Sequence, residues 1–214
     1  MKLFNFQKQK SKKIEPVFSS FTDKRDGRIY RTVQIDNQIW MAENLAYIPY
    51  ITDVKQQGGI WVYNYDGQNS DSAKNTTEYQ TYGCLYDLKT ALKVIPEGWH
   101  LPSKDEWKNL IMLFGEQAGL KCKSTNGWIG QTGNGTDLYG FSFLPGGSRG
   151  DYGHFHNIGK KGTWWTSTDL EEGYTKIYGG TSYLVIGLSY DDDDFITNIS
   201  GDINCGYSVR CVKD

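Results

Sequence analysis

Apolar residues in the middle of the chain recur with the period of a half-buried helix. They are spaced three, one and three residues apart: Trp107, Leu110, Ile111 and Phe114. This spacing places all four side chains on one helical face. Ser103 and Glu106 precede them in the S-x-x-E pattern of a capping box, and Gly115 follows as a stop signal. The pattern predicts a scaffold helix that begins after Ser103. A shorter helix is predicted over residues 87–93.

Elsewhere the pattern is typical of short strands. Residues 28–35 and 38–41 are two β-rich runs joined by Asp36-Asn37, which predicts a hairpin. Further strands are predicted over residues 162–168, 183–190 and 206–212, which are separated by glycine-punctuated turns. The fold class that we predict is therefore α+β, with short antiparallel strands, one or two helices and long loops.

The chain divides into a tail and one domain. Residues 1–22 are polar and rich in Lys and Gln, so we interpret them as a basic, flexible tail, although four phenylalanines in it favour docking on the domain or on a partner. Residues 23–214 form the domain. Residues 52–80 are polar and weakly periodic, and we interpret them as an insertion.

Composition and charge exclude several classes of partner. The net charge of −2 does not steer the chain toward nucleic acid or an anionic membrane. The N-terminal lysines are not followed by the apolar run of a signal peptide, and no window reaches the length of a membrane span. We therefore expect a cytoplasmic protein, or one exported to the cell surface by a signal-independent route.

Four ordered blocks resemble the Fibrobacter succinogenes major paralogous (FISUMP) domain family over about residues 23–214. The first runs from Asp26-Gly27-Arg28 to Glu43-Asn44-Leu45, and the second from Tyr82-Gly83-Cys84 to Gly98-Trp99-His100-Leu101-Pro102. The third joins Leu144-Pro145-Gly146-Gly147 to Gly162-Thr163-Trp164-Trp165, and the fourth ends in Gly206-Tyr207-Ser208-Val209-Arg210-Cys211. Each block alone is weak, and the four in register are specific.

The resemblance implies a C-type-lectin-like fold related to the scaffold of formylglycine-generating enzymes. It also implies similarity to surface or secreted proteins of Bacteroidota and Fibrobacterota. Two features depart from the family: Ile95 stands where members often carry Cys, which removes a disulfide partner for Cys84 or Cys211, and the usual export signal is missing.

The run Asp191, Asp192, Asp193 and Asp194 is a candidate Ca²⁺ site, because a hard cation relieves the repulsion of adjacent carboxylates. The alternative is a solvated turn, since the run lacks the spaced carboxylates of an EF-hand loop.

His154 and His156 share one face of a strand, but a transition metal needs a third ligand, and His100 is the other imidazole of the chain. We expect structural or surface roles for the three histidines.

Cysteine chemistry offers an enzymatic alternative. The four cysteines are Cys84, Cys122, Cys205 and Cys211. Formylglycine-generating enzymes use a copper-binding cysteine pair on a similar scaffold. However, Cys205 and Cys211 are separated by about 20 Å if the intervening residues form one strand, which is too far for a shared copper ion or a disulfide. We therefore predict no catalytic residues.

Aromatic residues in two loops are candidate binding residues. Trp61, Tyr63 and Tyr65 lie in the insertion, and Arg149, Tyr152 and Phe155 lie in or beside a Gly-rich loop. Exposed Tyr and Trp suit recognition of a protein or a glycan; the alternative is that these rings pack the loops.

Three functions are compatible with these patterns. The first is a non-catalytic binding or adhesion module with a protein or glycan ligand. The second is an effector or toxin domain delivered by a contractile secretion apparatus, with an apparatus or immunity partner. The third is a metal-dependent enzyme, which the motifs favour least.

Overall fold

The structure is a computed structural model that describes residues 14–130, 133–169 and 182–214. Its helices are α1 (Ser70–Lys74), α2 (Thr77–Tyr82), α3 (Leu88–Ala91), α4 (Lys104–Phe114) and α5 (Ala118–Cys122). Its strands are β1 (Val17–Thr22), β2 (Ile29–Ile35), β3 (Gln38–Met41), β4 (Ile60–Trp61), β5 (Leu85–Tyr86), β6 (Trp99–His100), β7 (Gly146–Arg149), β8 (Phe155–Ile158), β9 (Lys161–Asp169), β10 (Ser182–Ser189), β11 (Ile196–Asp202) and β12 (Val212–Lys213). The mixture of strands and short helices confirms the predicted α+β class.

One five-stranded sheet joins the two ends of the described chain in the order β1-β2-β3-β12-β6. The predicted hairpin is present as β2 and β3, which pair antiparallel with Ile35 opposite Gln38. The predicted closing strand over 206–212 is shorter than expected. Val212–Lys213 is a strand, whereas Gly206, Tyr207 and Ser208 make isolated bridges to other elements.

The second five-stranded sheet has the order β11-β10-β9-β7-β8. Its strands β9 and β10 confirm the two strands predicted over 162–168 and 183–190. β7 meets β9 in parallel, and its other partner, β8, is antiparallel. Gly147 has a φ of 68° in β7, and a Cβ there would lie 2.4 Å from the carbonyl oxygen of His156, so the close β7–β8 approach requires glycine.

Helix α4 confirms the predicted capping box. The Ser103 hydroxyl accepts from the Glu106 backbone N–H at 3.3 Å, and the Glu106 carboxylate accepts from the Ser103 N–H at 2.8 Å. The buried face of α4 carries Trp107, whose ring lies 4.9 Å from that of Trp40 in β3. The helix therefore packs on the first sheet as scaffold.

The ordered domain begins earlier than the predicted boundary at residue 23. Val17–Thr22 is a regular strand that pairs with β2 over its whole length. Phe21 is held in place because its ring lies 4.4 Å from that of Trp99 and 5.3 Å from that of Tyr30. Residues 1–13, which include Phe4 and Phe6, lie outside the described residues.

The polar segment 52–80 contributes to the core. It carries β4, α1 and α2, and both helices are capped by side chains, from Asn69 and Thr76. Its Trp61 is fully buried, and Tyr79 donates its hydroxyl to the Ala46 carbonyl oxygen at 2.8 Å. The weak periodicity of this segment therefore reflects its short elements.

In the part of the chain that the structure describes, no helix is both long and apolar enough to cross a membrane.

Candidate functional site

Arg149, at the end of β7, joins the loops around residues 54–56 and 204 to the β7–β8 hairpin. Its guanidinium donates to the carbonyl oxygens of Val54 at 2.6 Å and Gln56 at 2.7 Å, and to that of Asn204 at 3.2 Å. The guanidinium carbon lies 4.1 Å from the centre of the Trp61 ring. Burial lowers the pKa of Arg149, because its guanidinium is bonded to neutral carbonyl oxygens.

The loops that Arg149 joins form one surface, which we call the three-loop surface: residues 52–59, 150–154 and 203–206. Gly153 lies against the Val54 carbonyl oxygen so closely that a Cβ would be 2.5 Å away. Tyr63 packs against the β7–β8 hairpin, with its ring 4.9 Å from that of Phe155. The hairpin tip is closed by a 2.8 Å hydrogen bond from the Gly150 N–H to the His154 carbonyl oxygen.

The predicted aromatic binding surface is only partly present. Trp61, Tyr63 and Arg149 are buried and support the loops from inside, which favours the alternative that these residues pack the loops. Tyr65 and Phe155 are half-buried. Tyr152, at the tip of the hairpin, is 83% exposed and remains a candidate contact residue.

The four carboxylates of the acidic run do not converge. The Asp191 carboxylate accepts from the Ser189 hydroxyl, and that of Asp192 from the Asp194 N–H at 3.0 Å. The Asp194 carboxylate accepts from the Ala118 N–H at 3.1 Å, at the start of α5. In the described residues no group of three or more His, Cys, Asp or Glu side chains is arranged to hold a metal ion. The candidate Ca²⁺ site at Asp191, Asp192, Asp193 and Asp194 therefore has no structural support.

A cation of the protein itself lies against the acidic run. The buried Lys123 ammonium donates to the Asp192 carbonyl oxygen at 2.6 Å and lies 5.1 Å from the centre of the Trp128 ring. Burial lowers the pKa of Lys123, and the charges of the neighbouring aspartates oppose that shift. Sequence reasoning missed this contact, because 69 residues separate the two partners.

The three histidines do not gather. His154 and His156 lie on the exposed β7–β8 hairpin with ring centres 6.5 Å apart, whereas His100 lies in the first sheet. His100 contacts two carboxylates, Asp214 at 2.7 Å through Nδ1 and Glu106 at 2.8 Å through Nε2. The histidines accordingly form two unrelated groups.

All four cysteines are free thiols. Cys84, Cys122 and Cys211 are buried, and burial raises the pKa of each, that of Cys84 to about 12. Cys205 is partly exposed on the three-loop surface, and burial raises its pKa as well. A thiol with a raised pKa is a poor nucleophile and metal ligand.

The two sheets, the short helices and the clamped loops define the class of protein: a strand-rich α+β domain whose loops are joined by a buried arginine. The sequence model of the Fibrobacter succinogenes major domain matches residues 33–213, which is most of the chain. The protein belongs to this family. No curated protein and no solved structure gives a significant match.

Proposed function

We propose that the protein is a non-catalytic binding module that presents the three-loop surface to a protein or glycan ligand. The observation that carries the proposal is the combination of the buried Arg149 clamp with Tyr152, which is 83% exposed at the tip of the clamped hairpin. Tyr combines a large contact area with a low entropy cost, which suits recognition.

Rigidity of the loops supports this proposal. Ordering a loop on binding costs free energy, and a surface that is already ordered avoids that cost. Arg149 donates four hydrogen bonds to three backbone carbonyl groups, and these bonds cross between segments 55 to 95 residues apart. The side chains of the hairpin therefore face a ligand from a fixed backbone.

The scaffold that we propose is the C-type-lectin-like fold implied by the family resemblance. β12 pairs with β3, so the last strand lies beside the β2–β3 hairpin and both ends of the described chain meet in one sheet. This arrangement supports a domain whose functional loops lie elsewhere. The alternative of a delivered effector is motivated by the basic residues 1–13, which lie outside the described residues, and no contact of the described residues favours it. The metal-dependent enzyme gains no support from the dispersed carboxylates and buried thiols.

Binding of the full chain to a glycan array, and pulldown of surface proteins from bacterial cells, test the proposal. We expect Tyr152→Ala to weaken binding about tenfold or more, as for an exposed aromatic hot spot, and binding to survive EDTA. Met112→Ala is the matched control, because Met112 is 68% exposed on α4, away from the hairpin.

Two results would contradict the proposal. One is equal binding by the wild type and Tyr152→Ala, which would place the contact elsewhere. The other is the absence of any saturable ligand in both formats, which would leave the domain without the recognition function.

A further inference from the structure

Strand β1 forms an open edge of the first sheet. It is the outermost strand in the order β1-β2-β3-β12-β6, and five of its six residues are exposed. Val17 is 60% exposed and Phe18 63% exposed. Among the described residues, no strand pairs with its outer side.

The backbone shows which groups point away from the protein. The Asp23 N–H donates to the Arg28 carbonyl oxygen at 2.8 Å, and β1 pairs with β2 in the same register without interruption. Because hydrogen-bonded and non-bonded positions alternate along an antiparallel pair, the N–H and C=O groups of Phe18, Ser20 and Thr22 face outward.

Between Val17 and Thr22 this edge has none of the features that keep sheet edges from pairing. Natural edge strands are protected by charged residues, proline, bulges or short length. Residues 17–22 contain no charged residue and no proline, and their register with β2 has no shift. The edge strands β6 and β8 are two and four residues long, and β11 meets its neighbour with a register shift. The open edge of β1 is therefore the one suited to a further strand.

We propose that β1 pairs antiparallel with β1 of a second copy, around a two-fold axis at Ser19. A two-fold axis perpendicular to a sheet keeps each side chain on its own face. An odd-numbered residue therefore lies opposite an odd-numbered one, and an even-numbered residue opposite an even-numbered one. Centred on Ser19, this pairing puts Val17 opposite Phe21 of the second copy and Phe18 opposite Ser20. The outward N–H and C=O groups of Phe18 and Ser20 then bond to each other in both directions.

Side-chain chemistry favours a second copy over an unrelated strand. In this register the apolar Val17–Phe21 contact forms twice, and pairs of aromatic and β-branched residues stabilise a sheet. No charge lies within residues 17–22, so these paired residues meet without repulsion of like charges. Beyond the strand Glu15 falls opposite Asp23, whose carboxylate is already paired with Arg25 at 2.6 Å. Ser20, opposite Phe18, is small enough to leave room for its ring.

The surroundings of Phe18 extend the same contact. Its ring packs on Gly140, where a Cβ would lie 2.2 Å from the ring. Leu138, two residues before Gly140 in the chain, is 58% exposed. Because Leu138 is close in the chain to the Gly140 that contacts Phe18, we expect it to lose exposure when the sheet continues into a second copy.

Light scattering coupled to size exclusion, with sedimentation velocity over a concentration series of the full chain, tests the proposal. The wild type should dimerise, and Ser20→Pro should weaken self-association by about 100-fold, because the Pro ring replaces an outward N–H that β2 does not use. Phe18→Lys should do the same by placing a charge at the edge. Ile129→Lys, at a 40% exposed residue beside the β8–β9 turn, should leave the dimer unchanged.

A cysteine pair fixes the register in a Cys205→Ser background. Ser19→Cys should form an intermolecular disulfide under mild oxidation, because the residue is opposite itself at a non-hydrogen-bonded pair. Ser20→Cys, on the other face, should form much less. If Ser20→Pro fails to fold by circular dichroism, Phe18→Lys and this cysteine pair decide.

Three results with the purified protein would overturn the proposal. They are a wild type that stays monomeric up to about 1 mM, a range in which the weakest specific complexes associate, a dimer that Phe18→Lys leaves intact, and a dimer that disappears on deletion of residues 1–13. A strand of another protein captured by a monomeric wild type would also overturn it.

Discussion

Buried cations in this protein are held by backbone oxygen atoms and aromatic rings. Arg149 is clamped by three carbonyl groups, and Arg210 donates to the Phe141 carbonyl oxygen at 2.7 Å with its guanidinium carbon 4.4 Å from the centre of the Phe143 ring. Burial lowers the pKa of Arg210 to about 9. Because each cation joins segments distant in the sequence, these side chains fix loop positions.

His100 makes stability depend on pH. Burial lowers its pKa, but its contacts with Glu106 and Asp214 outweigh that effect, so the folded pKa is raised. The stabilisation is fully present below the unfolded value of about 6.5 and is lost as pH rises through the higher folded value. His100 is 38% exposed, so solvent screening limits the effect to about 1 kcal/mol or less.

Urea unfolding between pH 5.5 and 8.5 measures this dependence. His100→Gln should lose it, and His156→Gln, at an exposed position, should retain it. An unchanged pH slope in His100→Gln would exclude the contact as its source.

At the scale of elements, local capping decides where helices begin. Ser103 begins α4 with a reciprocal pair of hydrogen bonds to Glu106, and the carboxylate of Asp194 accepts from the first N–H of α5. The first cap is local and visible in the sequence. The second joins residues 76 apart, so the role of the acidic run became visible only in the folded chain.

We expect Ser103→Ala to lower the free energy of unfolding by about 1 kcal/mol, because the N-cap acceptor is lost. In a chain of this size the melting temperature should fall by about 2–4 °C. Thermal unfolding by circular dichroism measures the change. Ser103→Thr keeps an N-cap hydroxyl and should restore most of the stability; if it melts like Ser103→Ala, the cap is not the cause.

At the scale of the whole molecule, both faces of the central strands are buried. Consecutive residues enter different apolar clusters: Trp165 and Val185 lie in one, and Trp164 and Ile186 lie in the other. The second sheet therefore offers no free face at β9 and β10, and the recognition that we propose falls to the loops and to the open edge of β1.

The burial of the core predicts the reactivity of the thiols. Under native conditions we expect a thiol reagent to modify Cys205, which is partly exposed, much faster than the other cysteines, which are fully buried. In denaturant all four should react. Cys205→Ser should abolish the fast native reaction. Rapid modification of Cys84, Cys122 or Cys211 in the folded protein would show that the core opens.

Local patterns in the sequence determined the β2–β3 hairpin, the capped helix α4, strands β9 and β10, and the family. Turn residues, caps and alternation act over a few positions, so they are legible without a structure. The tertiary structure decided which candidate residues are exposed and which partners they contact. It buried Trp61 and Arg149, spread the acidic run over separate partners, and turned residues 17–22 into an edge strand. These outcomes depend on contacts between residues far apart in the chain, and no short pattern encodes which partner a side chain meets.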